Sequence, residues 1–193
     1  MYRDGKLGCG TFLLFVLIAN GALADAAPTT RPAAYFPAGT WTADIYGAYT
    51  KNFVYEYNKL GSGTVGVGYY FLDNVAINAE ISGYYVHQRH GPDAAIGAGQ
   101  ALLRHHVFQS GAFSLFLDAG AGISEASHRV PYYGTYYNYI LETGIGGTYQ
   151  LWDNVYLIGG ARYFHLSNAA LEGPRRNPGI NATQGYVGIL LRF

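Results

Sequence analysis

The segment GTVGVGYYFLDNVAINAEI, residues 63–81, decides the fold class. Before Asp73-Asn74, large apolar residues alternate with glycine, and after it isoleucine alternates with Asn78 and Glu80. A period of two places successive side chains on opposite faces of a strand. Asp and Asn are residues that favour a turn between two strands. The segment therefore predicts a β-hairpin with one apolar face and one polar or glycine-rich face.

The same alternation recurs along most of the chain, from Thr40 to the terminal Phe193. It divides into eight segments, each with the roughly nine to eleven residues that a tilted strand needs to cross a bilayer. Repeated alternation of this kind is typical of a membrane barrel. We therefore predict an all-β fold, an eight-stranded antiparallel transmembrane β-barrel of the outer membrane. The predicted strands are Thr40–Lys51, Gly61–Leu72, Val75–His87, Ala94–Phe108, Ala112–Ser124, Tyr136–Leu151, Val155–Ser167 and Gln184–Phe193.

The connections between these strands alternate between short and long. The short ones are Asp73-Asn74, Gln109-Ser110-Gly111 and Asp153-Asn154, and the long ones are Asn52–Lys59, Gln88–Asp93, Glu125–Thr135 and Asn168–Thr183. Outer-membrane barrels have short periplasmic turns and long extracellular loops. We expect both ends of the barrel domain in the periplasm and the long loops outside the cell.

Odd-numbered strand positions carry large apolar residues, and even-numbered positions carry polar ones. The even set comprises Asp44, Asn78, Glu80, Gln100, Arg104, Ser114, Asp118, Glu142, Gln150 and Arg162. We predict that odd positions face lipid and even positions face the interior. Eight strands leave a lumen only wide enough for side chains, so we expect the polar groups to pair as a plug without forming a diffusion channel.

Aromatic residues gather near both ends of the predicted strands, as expected for the two aromatic belts of a membrane protein. One set comprises Trp41, Phe71, Trp152 and Phe193, and the other comprises Tyr49, Tyr84, Tyr85, Tyr136, Tyr137 and Tyr139.

Composition excludes several classes of protein. Charged residues make up 12% of the chain, and 12 basic residues balance 12 acidic ones. A nucleic-acid partner is not expected, because binding to phosphates requires a basic surplus. The single cysteine, Cys9, lies in the N-terminal segment, so neither disulfides nor cysteine catalysis is expected in the mature protein.

The N-terminal segment has the features of a signal peptide. Arg3 and Lys6 precede an apolar stretch, and Ala22-Leu23-Ala24 supplies the small residues of a cleavage site. We predict a signal peptide over residues 1–24, a proline-containing flexible lead-in over residues 25–39, and the barrel over residues 40–193.

One strand places polar residues on its apolar face. The odd positions of the seventh strand run from Val155 through Leu157 and Tyr163 to His165 and Ser167. Residues two apart lie on the same face, with Cα atoms about 6.5–7 Å apart, so the imidazole can reach the hydroxyl. Such a pair can act as base and nucleophile in acyl transfer. A histidine and serine in the lipid headgroup zone is the simpler structural alternative.

The sequence around this pair resembles a known family. His165-Leu166-Ser167-Asn168-Ala169, followed by Asn177-Pro178-Gly179, is similar to the motif of the lipid A 3-O-deacylase (PagL), or acyloxyacyl hydrolase, family. The resemblance implies an eight-stranded outer-membrane barrel that hydrolyses the ester-linked 3-hydroxyacyl chain of lipid A in lipopolysaccharide. It implies no metal or other cofactor.

The resemblance also implies roles for individual residues. Ser167 is the expected nucleophile, His165 the base, and Asn168 a contributor to oxyanion stabilisation. The family has a glutamate after a Gly-Ile pair, whereas this chain has Asn181 after Gly179-Ile180. We take Asn181 as the third member, with Glu172 as the alternative. An asparagine can orient the histidine but cannot offset the charge of an imidazolium.

Two other functions stay open at this point. One is a non-enzymatic barrel with a structural or adhesive role, and the other is a deacylase relative that has lost activity. The expected partners are lipopolysaccharide and the outer membrane; whether the barrel forms a homodimer is open. Four arginines in or beside the predicted outer loops could meet the phosphates of lipopolysaccharide: Arg89, Arg129, Arg175 and Arg176. No metal site is expected from His87, His90, His105 or His106.

Overall fold

Eight antiparallel strands close into a barrel in which each strand pairs with its sequence neighbours and β1 pairs with β8. The computed structural model describes residues 35–53 and 58–193. The strands are β1 (Trp41–Asn52), β2 (Lys59–Leu72), β3 (Val75–His87), β4 (Ala94–Ser110), β5 (Phe113–Val130), β6 (Thr135–Trp152), β7 (Val155–Ser167) and β8 (Ile180–Arg192). A single turn of 3₁₀ helix, Pro174–Arg176, lies between β7 and β8. In the part of the chain described, no helix is both long and apolar enough to span a membrane.

The predicted fold class is confirmed, with differences at strand ends. β8 begins at Ile180 and not at Gln184, because its pairing with β7 continues to Leu166 opposite Ile180. β5 and β6 also extend beyond the predicted ends, to Val130 and from Thr135, as a hairpin that projects past the other strands. We call the end with the short β2–β3, β4–β5 and β6–β7 turns the turn end, and the opposite end the loop end.

Side chains alternate between the two faces as the sequence predicts. Odd positions such as Ile45, Ile81 and Leu141 are exposed on the outer wall, and the even positions between them are buried inside. The apolar outer wall is that of a membrane-spanning barrel. Two predicted positions differ: Gln150 lies by the β6–β7 turn, where its side chain donates to the Asp153 carbonyl. Tyr84, expected in an aromatic belt, is buried inside against Phe164.

The interior has three layers. At the loop end it is apolar, with inward residues including Phe164, Leu166 and Ile180. At the turn end it is mainly aromatic, with Tyr70, Phe116 and Tyr156. Between these layers lies a network of charged side chains, which is the plug that the even-numbered polar residues predict.

Arg162 is the centre of this network. Its guanidinium donates to Asp118 at 2.7 Å, to Glu142 at 2.9 Å and to Glu80 at 3.3 Å. Arg104 makes a two-bond contact with Asp118, at 2.9 and 3.1 Å. Such pairing offsets the large cost of removing charges from water. The strands that carry these residues are therefore tied together from the inside as well as by their backbone ladders.

The turn end is closed by residues that precede β1. Phe36 is fully buried, and its ring stacks on Tyr70 at 4.7 Å. The Phe36 N–H donates to Asn74 Oδ1 at 3.1 Å. Residues 35–39, expected as the end of a flexible lead-in, are thus fixed by aromatic packing and hydrogen bonds. The predicted signal peptide and the rest of the lead-in lie outside the described residues.

Replacement of Arg162 tests the interior network. Arg162→Ala would leave buried carboxylates without their cation, so we expect the free energy of unfolding to fall by about 3–5 kcal/mol. Urea titration of the refolded barrel in detergent, followed by tryptophan fluorescence, measures this change.

Lys51→Ala is the matched control, since Lys51 is exposed at the loop end; its unfolding midpoint should equal that of the wild type. An Arg162→Ala midpoint equal to the control would show that the network contributes little to stability.

Candidate active site

The pairing of β7 with β8 assembles a cluster of polar side chains on the outer wall. His165 lies directly opposite Asn181 in the ladder, and Ser167 follows His165 on the same face of β7. The inward residues next to them in the two strands, Phe164, Leu166 and Ile180, are fully buried. Because a slip of one residue would turn these apolar side chains outward, the core fixes the outward direction of the polar ones.

His165 makes one hydrogen bond with each ring nitrogen. Its Nε2 lies 2.9 Å from Ser167 Oγ, and its Nδ1 lies 2.8 Å from Asn181 Oδ1. A carbonyl oxygen only accepts, so Nδ1 carries the proton of the neutral ring. Nε2 then presents its lone pair to the Ser167 hydroxyl. This is the tautomer that a general base needs.

Tyr163 contributes a further contact to the cluster. Its hydroxyl also donates to Asn181 Oδ1. The amide oxygen therefore accepts from both the imidazole and the phenol, which opposes a flip of the amide that would turn its NH₂ group to His165. Phe53 lies beside Tyr163, with ring centroids 6.2 Å apart, and the Phe53 N–H donates to the Asn181 carbonyl at 3.1 Å.

The connection after Ser167 is organised by Asn168, which is buried. The Asn168 N–H donates to Asn177 Oδ1 at 3.0 Å, and its side-chain Nδ2 donates to the Arg176 carbonyl at 2.9 Å. Its Oδ1 accepts from the Ala170 N–H at 2.9 Å. The Asn168 carbonyl accepts from the Leu171 N–H at 3.1 Å. Each polar group of Asn168 thus has a partner inside the loop, so this residue shapes the backbone next to Ser167.

Four residues of this connection have positive φ angles, and one of them, Gly173, has φ 86°. Gly179 has φ 63°, and a side chain there would contact His165 and Ser167. Ala169 and Ala170 have φ 52° and 60°. A non-glycine residue in this region is strained by roughly 1–3 kcal/mol, and such strain clusters at functional sites. Asn168 Oδ1 accepts from the Ala170 N–H and so helps to hold this conformation.

Glu172, the alternative third member, has a different partner. Its carboxylate accepts from Arg176 at 2.9 Å, and both side chains are half exposed. The structure thus brings Asn181 to His165 and gives Glu172 a salt bridge within the loop. Within residues 35–53 and 58–193, no group of three or more His, Cys, Asp or Glu side chains has the arrangement of a metal site.

Comparison with known sequences identifies the family. The profile of the lipid A 3-O-deacylase (PagL) family matches residues 33–189. The chain belongs to this family. The match covers all of β1 to β7 and most of β8, and so includes His165, Ser167 and Asn181. No curated protein matches the chain.

Solved structures with the same fold include outer-membrane proteins. Neisserial surface protein A superposes with a TM-score of 0.54 at 18% identity, over 79% of this chain and 94% of that one. OprG from Pseudomonas aeruginosa superposes with a TM-score of 0.54 at 11% identity, over 82% of this chain and 97% of that one. The E. coli outer membrane protein W superposes with a TM-score of 0.52 at 10% identity, over 81% of this chain and 99% of that one. At these identities the likeness shows the fold alone, and with the deacylase family match it places the chain among outer-membrane barrels.

Sequence reasoning missed the contacts of Tyr163 and Asn177. Tyr163 occupies an outward position two residues before His165, which is the one signal that would have pointed to it. The sequence marks Asn177 only as part of the Asn-Pro-Gly motif, and its hydrogen bond to Asn168 depends on how the loop folds.

Histidine NMR tests the geometry of the site. In ¹⁵N-labelled protein we expect neutral His165 to carry its proton on Nδ1, because Asn181 Oδ1 accepts from it. Asn181→Leu removes the acceptor and should give a mixture of tautomers.

Thr183→Leu, one position further along the same face of β8, is the control and should leave the His165 signal unchanged. A wild-type ring protonated on Nε2 would contradict the arrangement.

Proposed function

We propose that this chain is an outer-membrane esterase that removes the ester-linked acyl chain from the 3-position of lipid A. The observation that supports it most directly is the hydrogen-bonded series Ser167–His165–Asn181 on the outer wall, in a member of the lipid A 3-O-deacylase family. A dyad on the wall faces lipid, so its substrate is a lipid ester.

The first half of the reaction forms an acyl-enzyme. His165 Nε2 takes the proton of the Ser167 hydroxyl while Oγ bonds to the ester carbonyl carbon, which gives a tetrahedral intermediate. The bond from that carbon to the sugar oxygen then breaks. His165 returns its proton to the departing sugar oxygen, and the acyl chain stays on Ser167.

The second half releases the fatty acid. A water molecule gives a proton to His165 Nε2 as its oxygen attacks the acyl carbonyl. The carbon–Oγ bond breaks, and the proton returns to Ser167. Atoms balance as one ester and one water giving one alcohol and one carboxylic acid, with no cofactor.

Asn181 serves in this scheme as a positioning residue. It keeps the His165 proton on Nδ1, and Tyr163 supports it through a second hydrogen bond to the same oxygen. A neutral amide stabilises the imidazolium less than a carboxylate does. We therefore infer a slower acylation step than in relatives that have glutamate at this place.

Oxyanion stabilisation is proposed to involve Asn168 indirectly. The contacts of its side chain lie in the loop, so its contribution is to hold the turn that follows Ser167. The N–H of Ala169 has no hydrogen-bond partner among the described residues and is two positions from the nucleophile. Backbone N–H groups held in advance are the usual donors to a developing oxyanion.

The site lies at the loop end, on the same side as the longer connections. By the general layout of outer-membrane barrels, that end faces outside the cell. We infer that the active site is level with the outer leaflet, where lipopolysaccharide resides.

Replacement of the nucleophile tests the proposed activity. Purified wild-type protein incubated with lipid A should release one acyl chain, and Ser167→Ala should lower the rate at least about 10³-fold, since the covalent step is lost. Mass spectrometry of the lipid and the released acid measures both.

Ser110→Ala, an exposed serine at the turn end, is the control and should retain full activity. Unchanged lipid A after incubation with folded wild-type protein would contradict the proposal and would leave an inactive relative or a non-enzymatic barrel.

Asn181 provides a separate prediction. Asn181→Glu should raise kcat by about tenfold, because a carboxylate adds roughly 1.4 kcal/mol of stabilisation to the imidazolium. Asn181→Leu should lower kcat by roughly 10²-fold, since the base loses its orientation. Steady-state hydrolysis of lipid A measures both values.

Thr183→Leu again serves as the control. Equal rates for Asn181→Leu and the wild type would remove Asn181 from the scheme.

A further inference from the structure

A cavity of about 420 Å³ opens at the loop end. Its walls come from three connections that are distant in sequence: the β3–β4 connection, the β5–β6 hairpin and the β7–β8 connection. Arginine and tyrosine predominate in the lining, with Arg129, Arg175 and Arg176 beside Tyr132, Tyr133 and Tyr136. This combination differs from the rest of the barrel surface, whose outer wall is apolar.

The cavity has a positive charge. Three guanidiniums line it, and no carboxylate does so among the described residues. Arg176 is paired with Glu172, but that pair is half exposed and weakened by solvent. A guanidinium presents several N–H groups in one plane and matches the oxygens of a phosphate. Tyrosine rings offer flat faces and hydroxyl groups that suit a sugar.

Buried contacts hold the cavity walls in place. Gln88 is buried, and its Nε2 donates to the carbonyl of Pro92 at 2.8 Å and to that of Arg129 at 3.0 Å. One amide thus links the β3–β4 connection to the β5–β6 hairpin. Gly91 has φ 83°, and a Cβ at this position would collide with the Tyr132 ring. The ring therefore packs directly on the glycine backbone.

The cavity and the proposed active site share strand β6 and the β7–β8 connection. Tyr139 pairs with Ser167 in the β6–β7 ladder, and Tyr136 of the cavity is three residues further along β6. At about 3.3 Å per residue, Tyr136 and Tyr139 are about 10 Å apart along the strand. The Arg176 carbonyl also accepts from the Asn168 side chain, so one loop positions both the turn after Ser167 and two arginines of the cavity.

We propose that this cavity binds a phosphate group on the sugar headgroup of the lipid whose ester Ser167 cleaves. The inference rests on the proposed function and adds that the phosphate group of the lipid is what the enzyme recognises in its substrate. The arginines bind the phosphate, the tyrosines contact the sugar, and the acyl chains remain along the apolar wall. Binding at the cavity brings the ester to the hydroxyl of Ser167.

The test compares Arg129→Gln/Arg175→Gln with the wild type on three substrates: lipid A, lipid A from which phosphatase has removed the phosphates, and a neutral short-chain nitrophenyl ester. We expect KM for lipid A to rise about tenfold or more with kcat little changed. For the wild type, removal of the phosphates should raise KM similarly, and the variant should show no further loss on that substrate. Hydrolysis of the neutral ester should be equal in both proteins.

Lys51→Gln/Lys59→Gln removes the same charge at the loop end away from the cavity and is the matched control, with wild-type KM expected. A wild-type KM that is the same with and without the lipid phosphates would overturn the inference, as would an equal effect of both double variants. Inhibition by inorganic phosphate at concentrations as low as those of lipid A would instead assign the cavity to free phosphate and would also overturn it.

Failure of the proposed function has a different signature. In that case no substrate is cleaved in a Ser167-dependent way, including the neutral ester. Binding of lipid A to Ser167→Ala protein, measured by calorimetry in detergent, then tests the role of the cavity independently of catalysis. Weaker binding after loss of Arg129 and Arg175 supports the phosphate contact, and unchanged binding overturns it.

Discussion

The ladder between β7 and β8 is the constraint on which the site depends. It places His165 opposite Asn181, and the buried Phe164, Leu166 and Ile180 prevent either strand from turning over. The polar contacts therefore lie on the outer wall of the barrel. They are positioned by the apolar layer inside the barrel, whose packing stabilises the fold and sets the direction of the site together.

The interior side chains stabilise the barrel and are separate from the residues of the proposed reaction. Arg162 and Arg104 bind carboxylates from several strands, and Phe36 closes the turn end by packing against aromatic rings. None of these side chains takes part in the proposed reaction. With a rigid interior, the loop end can accommodate strained residues such as Ala169 and Ala170 next to Ser167.

Much of the fold follows from the sequence because a period of two assigns each side chain to a face without knowledge of its partners. The same rule placed His165 and Ser167 together on the outside. The register between strands depends on the whole closed barrel. In Ile180–Thr183 the inward residues are the apolar ones, the reverse of the apolar-outward pattern used to predict the strands, so the true start of β8 was not predictable. The pairing of Asn181 with His165 was expected only from the resemblance to the family. The burial of Phe36 and the loop contacts of Asn168 also depend on tertiary packing, which local sequence does not encode.

The outward direction of the Ser167 hydroxyl has a kinetic consequence for the proposed enzyme. In the proposed reaction a lipid would reach it by lateral diffusion within the leaflet, so encounters would take place in two dimensions and would depend on the fluidity and crowding of that layer. The turnover rate in a cell would then depend on lateral diffusion of the lipid as well as on the chemical step at Ser167 and His165.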